Sequence, residues 1–314
     1  MLHWKKATLP GCMLFLLFAF CFGGCADDGK VPSETLRIGI MPDVESIPLI
    51  LAEKNGYFAE CGVGVELEIF KSARDRDSAL QSHLLDGVVS DIVAVAFAHD
   101  GGIPLKITAQ TDGNILLLAN PAQGIETPRD LKGKEVALST NTVMEYSLDQ
   151  MLLNAGISPD EIIKTAVPQL PTRLEMLQSG QIAAAILPQP LAGVGLLHGA
   201  IRLDDTQALG EKAGVIAFTP EVLEERLPQV QTFFAAYDQA VEELNRAPAG
   251  TYDDFLIEVF AFPESLRGQL PLPAYRPAAL PEPAVFDHVM EWMQTRGLLQ
   301  TPLRWEDVSL DCRK

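Results

Sequence analysis

The stretch TPRDLKGKEVALSTNTVMEYSLDQMLLNAGI, residues 127–157, decides the fold of this chain. Its first part predicts one helical turn that a glycine ends, followed by a strand over 135–139. The small polar residues that come next, Ser139 to Thr142, favour helix N-caps and predict a helix that Gly156 ends. A buried strand that leads directly into a capped helix is the building unit of an α/β sheet.

The same alternation extends in both directions along the chain. Alternating or wholly apolar runs predict strands, and helical spacing predicts helices between them. We predict strands at 36–41, 63–70, 91–96, 104–110, 114–119, 162–167, 182–188 and 214–218, and helices at 47–58, 73–85 and 171–181. From residue 220 onward the pattern predicts mostly helix, at 220–226, 228–246, 252–260 and 283–296. The sequence therefore predicts an α/β fold of two units with parallel sheets and a helical C-terminal part.

Residues 1–24 predict a signal peptide. Two lysines precede an apolar run of roughly 10 residues, which is too short to span a bilayer but suits a secretory signal. Two glycines then precede Cys25, an arrangement that resembles the lipobox of bacterial lipoproteins, with Phe22 in place of the usual leucine. We expect Cys25 to carry a lipid anchor, residues 25–35 to form a linker, and the protein to lie outside the cytoplasm at a membrane. An ordinary signal peptide is the alternative.

The composition limits the classes of function. The chain has 42 acidic and 24 basic residues, and such an acidic surface lacks the electrostatic footprint of a nucleic-acid-binding protein. No nucleophile-elbow, phosphate-loop or HExxH motif occurs in the sequence, and the histidines have no metal-ligand spacing. We therefore expect a monomeric protein with no catalytic residues, no metal site, no cofactor and no nucleic-acid partner.

Two cysteines, Cys61 and Cys312, stay in the chain once the leader is removed and Cys25 is modified. Outside the cytoplasm they can form one disulfide, because that compartment is oxidising. They can equally stay two separate thiols. The sequence leaves both alternatives open.

Ligands of open α/β sheets bind beyond the carboxyl ends of the strands. The loops at these ends therefore supply the candidate ligand-binding residues. The strand pattern gives Pro42, Asp43, Ser46, Ile47, Lys71, Ser72, Ala73, Phe97, Gln110, Thr111, Ser139, Thr140, Asn141, Thr142 and Gln189. Tyr146, one turn into the helix after this last group of hydroxyl residues, is either a flat wall of the site or a core aromatic.

The loop Ser139–Thr142 is the most informative of these segments. Free N–H groups and the positive end of the helix dipole favour an anion or a polar ligand group there, although the same residues are ordinary caps. As a hypothesis, replacement of Thr140 and Asn141 by alanine weakens ligand binding and leaves the fold intact.

Two cations, Lys71 and Arg74, also lie at a predicted strand end. They either hold an anionic ligand or pair with nearby acidic residues, and the sequence does not decide between these roles. The alternating charges of residues 74–77 predict a solvated loop or helix face.

Four passages resemble the substrate-binding proteins of ABC importers, in particular the family that serves nitrate, alkanesulfonates, taurine and pyrimidine precursors of thiamine. They are IGIMPDVESIPLILAEKNGYFAECGVGVELEIF, LLDGVVSDIVAVAF, the stretch 127–157, and LEMLQSGQIAAAILPQPLA with the following GVIAFTPEVLEERLPQV. Together they run over most of the chain from residue 36 to residue 230. The C-terminal third matches only as a set of helices.

The resemblance implies a two-lobed fold in which two crossing segments join the lobes and a hinge motion closes them on one solute. Carried over, lobe 1 would be 36–118 plus 216–314, and lobe 2 would be 119–215. The implied partners are a small-molecule ligand and the permease and ATPase subunits of an ABC importer. The implied ligand is a small organic solute of the sulfonate, nitrate or pyrimidine-precursor kind.

The ligand loops of the family map onto the candidates above and add Asp91. At Gln189 the family commonly has an acidic residue before the proline, so the neutral amide here puts in doubt a ligand cation that such an acid would bind. Two other functions stay open. One is an enzyme on the same fold, of the menaquinone or thiamine-precursor type, which the export leader disfavours. The other is a ligand sensor for a membrane signalling partner.

Overall fold

The computed structural model describes residues 35–210, 212–270 and 272–313. The predicted signal peptide (1–24), the lipidated Cys25 and almost all of the linker 25–35 lie outside the described residues. In the part of the chain that is described, no helix has the length and apolar character needed to cross a membrane.

Ten strands form two five-stranded sheets in the described residues. The strands of the first sheet are β1 (Leu36–Ile40), β2 (Val65–Ile69), β3 (Gly87–Asp91), β4 (Lys106–Gln110) and β10 (Gly214–Phe218), in the order β2-β1-β3-β10-β4. Those of the second sheet are β5 (Ile115–Ala119), β6 (Glu135–Leu138), β7 (Ile163–Ala166), β8 (Ala184–Pro188) and β9 (Ile201–Asp205), in the order β7-β6-β8-β5-β9.

Helices connect the strands and make up most of the C-terminal part. They are α1 (Ile47–Lys54), α2 (Tyr57–Cys61), α3 (Ala73–Gln81), α4 (Ile92–Asp100), α5 (Val143–Asn154), α6 (Leu170–Gln178), α7 (Leu191–Leu197), α8 (Thr206–Leu209), α9 (Pro220–Glu225), α10 (Leu227–Arg246), α11 (Asp253–Phe260), α12 (Pro283–Thr295) and α13 (Trp305–Val308). Short 3₁₀ turns lie at Val44–Ser46, Pro121–Gln123, Pro128–Leu131, Pro159–Glu161 and Glu264–Leu266.

Both sheets are mixed, and the prediction of parallel sheets was wrong in this respect. β10 is antiparallel to β3 and β4, and β5 is antiparallel to β8 and β9. Each of these antiparallel strands comes directly after the chain has crossed between the sheets, at 111–114 and at 206–213. Because the chain leaves one sheet at the carboxyl end of a strand, it enters the facing sheet at the same edge and runs in the opposite direction.

The crossings also fix which strand belongs to which sheet. β5 pairs within the second sheet, although the predicted limit of lobe 1 at residue 118 places most of this strand in the first lobe. β10 begins two residues before the predicted return to lobe 1 at 216. The wider lobe limits stay predictions.

The run 91–96, predicted as a strand, is helical. The strand β3 ends at Asp91, whose carboxylate Oδ1 accepts a hydrogen bond of 2.9 Å from the backbone N–H of Ala94 and so begins α4. A short apolar run has no periodicity that separates a buried strand from a buried helix. The aspartate at its start was the missed N-cap signal.

The core of the first sheet gathers aromatic side chains from β10 and α10. Phe218 packs edge-to-face against both Phe233 and Phe234, with ring centroids 5.5 and 6.1 Å away. Pairs of this geometry contribute about 0.5–1.5 kcal/mol beyond the area that they bury. The long helix α10 is thereby fixed to the sheet, which gives the first half of the molecule a rigid base.

Cys61 and Cys312 are both free thiols, so the structure does not contain the disulfide that the sequence left open. Cys312 is buried, and its Sγ lies 3.7 Å from the carbonyl oxygen of Leu310. Burial raises the pKa of the Cys312 thiol to about 11.

Candidate functional site

A cleft lies where the carboxyl ends of strands from both sheets face each other. It contains a cavity of about 60 Å³. The lining residues come from both sheets: Met41, Asp43, Glu45, Ala73, Arg76, Val89, Ser90, Asp91, Ile115, Ser139, Thr142, Val143, Met144, Pro168, Leu170 and Pro188. A site built in this way can hold a small solute between two halves of a molecule.

Carboxylates dominate the wall that the first sheet contributes. Asp43 caps the 3₁₀ turn after β1, since its Oδ1 accepts hydrogen bonds of 3.1 and 3.3 Å from the N–H groups of Glu45 and Ser46. Asp91 caps α4 in the same manner at the end of β3. Both aspartates are more than nine-tenths buried, at 7% and 6% exposure.

Glu45 lies between the two crossing segments. The Thr111 hydroxyl of the first crossing donates a hydrogen bond to its Oε1. A Cβ atom at Gly214, where the second crossing ends, would lie 1.9 Å from the same oxygen, and one at Gly113 would lie 2.6 Å from the carboxyl carbon. Glycine at these two positions is therefore what makes room for the Glu45 side chain.

The pKa values of these three acids are raised. Burial is the first cause for each of them, and it raises the pKa of Asp43 and of Asp91 to about 6. Burial and the neighbouring charge of Asp43 raise the pKa of Glu45 to about 8. A carboxylate in a poorly solvated cleft disfavours its charged form, and like charges nearby add to this effect.

Arg76 is the buried cation of this wall, with 3% exposure. Its Nη1 donates a hydrogen bond of 2.8 Å to the carbonyl oxygen of Val89, while Nε and Nη2 both donate to Oδ1 of Asp77. Its charge lowers the pKa of Asp43, Glu45 and Asp91, but less than burial raises it. Arg76 thus forms no hydrogen bond that the described residues show with Asp43, Glu45 or Asp91, although its charge acts on all three.

The opposite wall, from the second sheet, carries hydroxyl and apolar side chains. Ser139 follows β6, and its Oγ accepts a hydrogen bond from Nη2 of Arg173, which lies behind it. Thr142 caps α5 by accepting a hydrogen bond of 3.2 Å from the N–H of Met144. Thr142 donates its own hydroxyl hydrogen to the Ser139 carbonyl oxygen at 2.9 Å, so the hydroxyl hydrogen that this wall offers to a ligand is that of Ser139.

The N-terminal turn of α5 already has an anionic partner of its own. The Glu145 carboxylate accepts a hydrogen bond of 2.7 Å from the backbone N–H of Asn141. Its other oxygen, Oε1, pairs with Lys164 and Arg296 at 2.9 and 2.7 Å. The helix end that the sequence marked for an anionic ligand is thus occupied by a side chain of the protein.

Contacts between α12 and α5 join the two halves beside the cleft. Nε1 of Trp292 donates a hydrogen bond of 2.9 Å to Oδ2 of Asp149, and Nη1 of Arg296 donates one of 2.8 Å to the same oxygen. The Trp292 ring packs edge-to-face on Tyr146 at 5.6 Å. A backbone hydrogen bond of 3.3 Å from Val44 N–H to the Gln189 carbonyl oxygen adds a second link. These links hold the cleft narrow.

The structure brings some of the predicted site residues to the cavity and not others. Asp43, Ala73, Asp91, Ser139 and Thr142 line it. Pro42, Ser46, Ile47, Lys71, Ser72, Phe97, Gln110, Thr111, Thr140, Asn141, Tyr146 and Gln189 do not.

The residues away from the lining have identifiable places. Ile47 and Tyr146 are core residues, and Ser72 caps α3. The Gln189 side chain accepts a hydrogen bond of 3.0 Å from the N–H of Gly193 in α7. Gln110 donates to the Lys212 carbonyl oxygen. These contacts give the side chains structural roles at the edge of the cleft.

The cations predicted for the site lie elsewhere. Lys71 and Arg74 are exposed and do not line the cavity. Arg76, which the charge alternation assigned to a solvated face, is the buried one. Glu45 lies within the predicted ligand loop 42–47 but was not singled out as a ligand-binding residue. Its position between two glycine-containing crossings is a tertiary feature that local spacing does not reveal.

Comparisons with known proteins agree with this architecture. An ABC transporter periplasmic binding protein of Brachyspira hyodysenteriae, as it is named, is 23% identical over 204 residues, a match that spans 59% of each chain. The alkanesulfonate-binding protein SsuA from Xanthomonas axonopodis pv. citri, bound to MOPS, superposes with a TM-score of 0.76 at 19% identity, covering 88% of this chain and 98% of that one. The desulfurization enzyme DSZB superposes at 0.62 with 15% identity, covering 88% and 96%.

The structural likenesses establish the two-lobed periplasmic-binding-protein fold that the sequence predicted. At these identities they establish the fold alone, because both a binding protein and an enzyme share it. A family model described as NMT1/THI5 like matches residues 43–251, which is more than half of the sequence and includes every strand of the two sheets except β1. The chain belongs to the NMT1/THI5-like family.

Proposed function

We propose that this protein is the extracytoplasmic substrate-binding component of an ABC importer, which captures a small organic solute in the cleft between its lobes and delivers it to a permease. The observation that carries the proposal is the cavity itself, because its lining comes from both sheets, which two crossing segments of the described chain connect. Such an arrangement lets a ligand stabilise the closed state by touching both halves. The names of the Brachyspira and Xanthomonas proteins support the same role.

The anchor and the partners are part of the proposal. A lipid on Cys25 would hold the protein near a membrane-bound permease, and closure around the solute would give the permease a shape to recognise. Mass spectrometry of the exported protein tests the anchor. The expected product begins at Cys25 and carries acyl chains, whereas a product without acyl groups contradicts the anchor and leaves solute binding unaffected.

We propose binding without turnover as the activity of the cleft. The carboxylates of Asp43 and Asp91 cap backbone turns, so they are held as structural acceptors, and the Ser46 hydroxyl that contacts Asp43 is fully buried and does not line the cavity. The fold likeness to DSZB makes a direct check worthwhile. A solute that binds should be recovered unchanged by mass spectrometry after prolonged incubation, and accumulation of a product would indicate an enzyme.

Hinge closure is testable by small-angle X-ray scattering combined with thermal denaturation. Candidate solutes are first screened for a rise in melting temperature, since a ligand that binds the native state stabilises it. A solute that raises the melting temperature should also give the smallest radius of gyration, because it stabilises the closed state. Two results together would contradict the proposed function. The radius of gyration would stay constant in mild denaturing conditions, and no small solute would raise the melting temperature.

A further inference from the structure

We propose that the cleft selects a solute with a positively charged, hydrogen-bond-donating end, of the protonated-amine class, over an alkanesulfonate of the same carbon skeleton. This inference rests on the proposed function, because it names the ligand class of the same site. It differs from the anion that the loop Ser139–Thr142 led us to expect from the sequence.

The first argument is that the aspartates have acceptor capacity left over. All three donors to Asp43, namely two backbone N–H groups and the Ser46 hydroxyl, contact its Oδ1. In the described part of the chain, no donor is hydrogen-bonded to Oδ2 of Asp43, and no side-chain donor is hydrogen-bonded to Asp91. Because each of these side chains is more than nine-tenths buried and lines the cavity, their remaining lone pairs are open to a donor that enters the cleft.

The second argument is that the cations of the protein do not neutralise this wall. Arg76 is the one Lys, Arg or His among the described residues that line the cavity, and it donates to Asp77 and to a carbonyl oxygen. Lys212 pairs with Asp112 at 2.7 Å. Glu45 brings a third carboxyl group to the same cavity. An incoming anion would meet these groups without a free cation to pair with.

The third argument concerns the far wall. A sulfonate needs several donors, and the N-terminal turn of α5 is the natural place to find them. There, Glu145 already accepts from the Asn141 N–H. Ser139 is the acceptor of the Arg173 hydrogen bond and keeps its own hydroxyl hydrogen free to donate. One hydroxyl donor is enough for a neutral polar group of a ligand, whereas a sulfonate group needs several donors.

The remaining lining defines the body of the solute. Met41, Val89, Ile115, Val143, Met144 and Leu170 supply apolar surface. With a cavity of about 60 Å³ in this state, a short aliphatic chain fits better than an extended ring system. The ligand class is therefore a small amine with a short apolar body.

The test uses two probes with one carbon skeleton, propylamine and propane-1-sulfonate, with the mature protein in isothermal titration calorimetry. We expect saturable binding of propylamine, at least about tenfold tighter than that of the sulfonate. Tighter binding of the sulfonate overturns the inference and leaves the proposed function standing. Failure of propylamine to bind at millimolar concentration overturns it too, while the screen described above decides the proposed function separately.

Variants locate the binding site. Asp91→Asn keeps an oxygen that caps α4, because asparagine caps as well as aspartate does, but it removes the charge, so propylamine affinity should fall about tenfold or more. Asp205→Asn is the matched control, since Asp205 is a fully buried cap that accepts from the Ala208 N–H at the same 2.9 Å and does not line the cavity. Equal affinities of the Asp91→Asn variant and the wild type would overturn the proposal.

Discussion

Arg76 and Arg173 occupy equivalent places in the two halves of the molecule. Each donates a hydrogen bond from Nη1 to the carbonyl oxygen of the residue 13 positions further along, Val89 for Arg76 and Ile186 for Arg173, at 2.8 and 2.7 Å. In both halves the arginine lies on the helix that precedes the strand which accepts the bond. In each lobe, therefore, an arginine joins a helix to the next strand of the sheet by the same kind of hydrogen bond, beside the cleft.

The two arginines differ in whether a carboxylate pairs with them, and this difference leads to the first prediction. Arg76 donates hydrogen bonds to the Asp77 carboxylate. Arg173 is fully buried and makes its hydrogen bonds to two carbonyl oxygens and to Ser139, and burial lowers its pKa to about 9. Arg173→Met should lower the free energy of unfolding by about 3 kcal/mol, because one buried carbonyl oxygen and two partly buried acceptors lose their donor. Urea denaturation measures this loss.

Arg129→Met provides the control for that experiment. Arg129 also donates to a carbonyl oxygen, that of Ala155 at 2.9 Å, but it does so on the exposed surface. Its replacement should change the free energy of unfolding by no more than about 0.5 kcal/mol. Equal losses in the two variants would mean that the buried position of Arg173 has no special importance.

The sequence predicts the alternation of strands and helices well, because hydrophobic periodicity and capping residues determine it locally. The strand at 135–138 and the helix at 143–154 appear within one or two residues of their predicted bounds. The apolar run after Asp91 was assigned wrongly, since four or five buried residues look alike in a strand and in a helix. The direction of β5 and β10 depends on the crossings between sheets, which no local pattern encodes.

The residues of the candidate site also fall into two groups, those that local sequence patterns predict and those that depend on tertiary contacts. Asp43, Ser139 and Thr142 were predictable because they lie in loops that follow predicted strands, whereas Asp91 was named only through the family resemblance. Glu45 and Arg76 were not, because their burial is produced by distant chain segments. The acidic character of the cleft emerges only when these groups come together, so one helix N-terminus, which favoured an anion or a polar ligand group, could not indicate it.

The second prediction separates neighbouring hydroxyl residues of one loop. Ser139 lines the cavity, whereas Thr140 is exposed and does not. Ser139→Ala should weaken binding of the cleft ligand about fivefold, since a hydrogen bond contributes about 1 kcal/mol. Thr140→Ala should leave it unchanged, in contrast to the effect expected from the sequence alone. Calorimetry with the solute found by screening measures both, and a larger loss for Thr140→Ala would return the site to the sequence-based assignment.

The third prediction concerns the links between α12 and α5. Trp292→Phe keeps an aromatic ring against Tyr146 but removes the N–H that donates to Asp149 Oδ2. Because Asp149 is 1% exposed, loss of this donor should cost about 1–2 kcal/mol. We expect the ligand-free variant to open, with a larger radius of gyration in solution scattering and a weaker affinity for solute, since less of the protein is in the closed state.

Trp305→Phe is the matched control for this variant. Trp305 packs against Phe286 at 5.6 Å, and both residues belong to the C-terminal helices of the first half. Its replacement should not change the radius of gyration. If both variants stay as compact as the wild type, the contacts of Trp292 are not what keeps the cleft narrow.

The fourth prediction follows from the raised pKa values in the cleft. In the folded state the pKa is about 6 for Asp43 and Asp91, whose ordinary value is 3.8, and about 8 for Glu45, whose ordinary value is 4.5. Between about pH 4 and pH 8 these three groups therefore bind more protons in the folded protein than in the unfolded chain. Stability falls with rising pH wherever the folded state binds more protons, so the ligand-free protein should be more stable at pH 5 than at pH 8.

Glu45→Gln isolates the largest of these shifts. The groups that face Glu45 are Asp43 from its own segment, Arg76 from α3 and Asp91 from the end of β3, and the glutamine oxygen can still accept from the Thr111 hydroxyl. Urea denaturation at both pH values should show a pH-dependent loss smaller by about 3.5 kcal/mol than in the wild type, on the scale of 1.4 kcal/mol per pKa unit. Glu66→Gln, at an exposed position of β2, should retain the full loss. Identical pH dependence in the Glu45→Gln variant and the wild type would show that Glu45 is ionised in the folded protein throughout this range, in contradiction to its burial between the crossings.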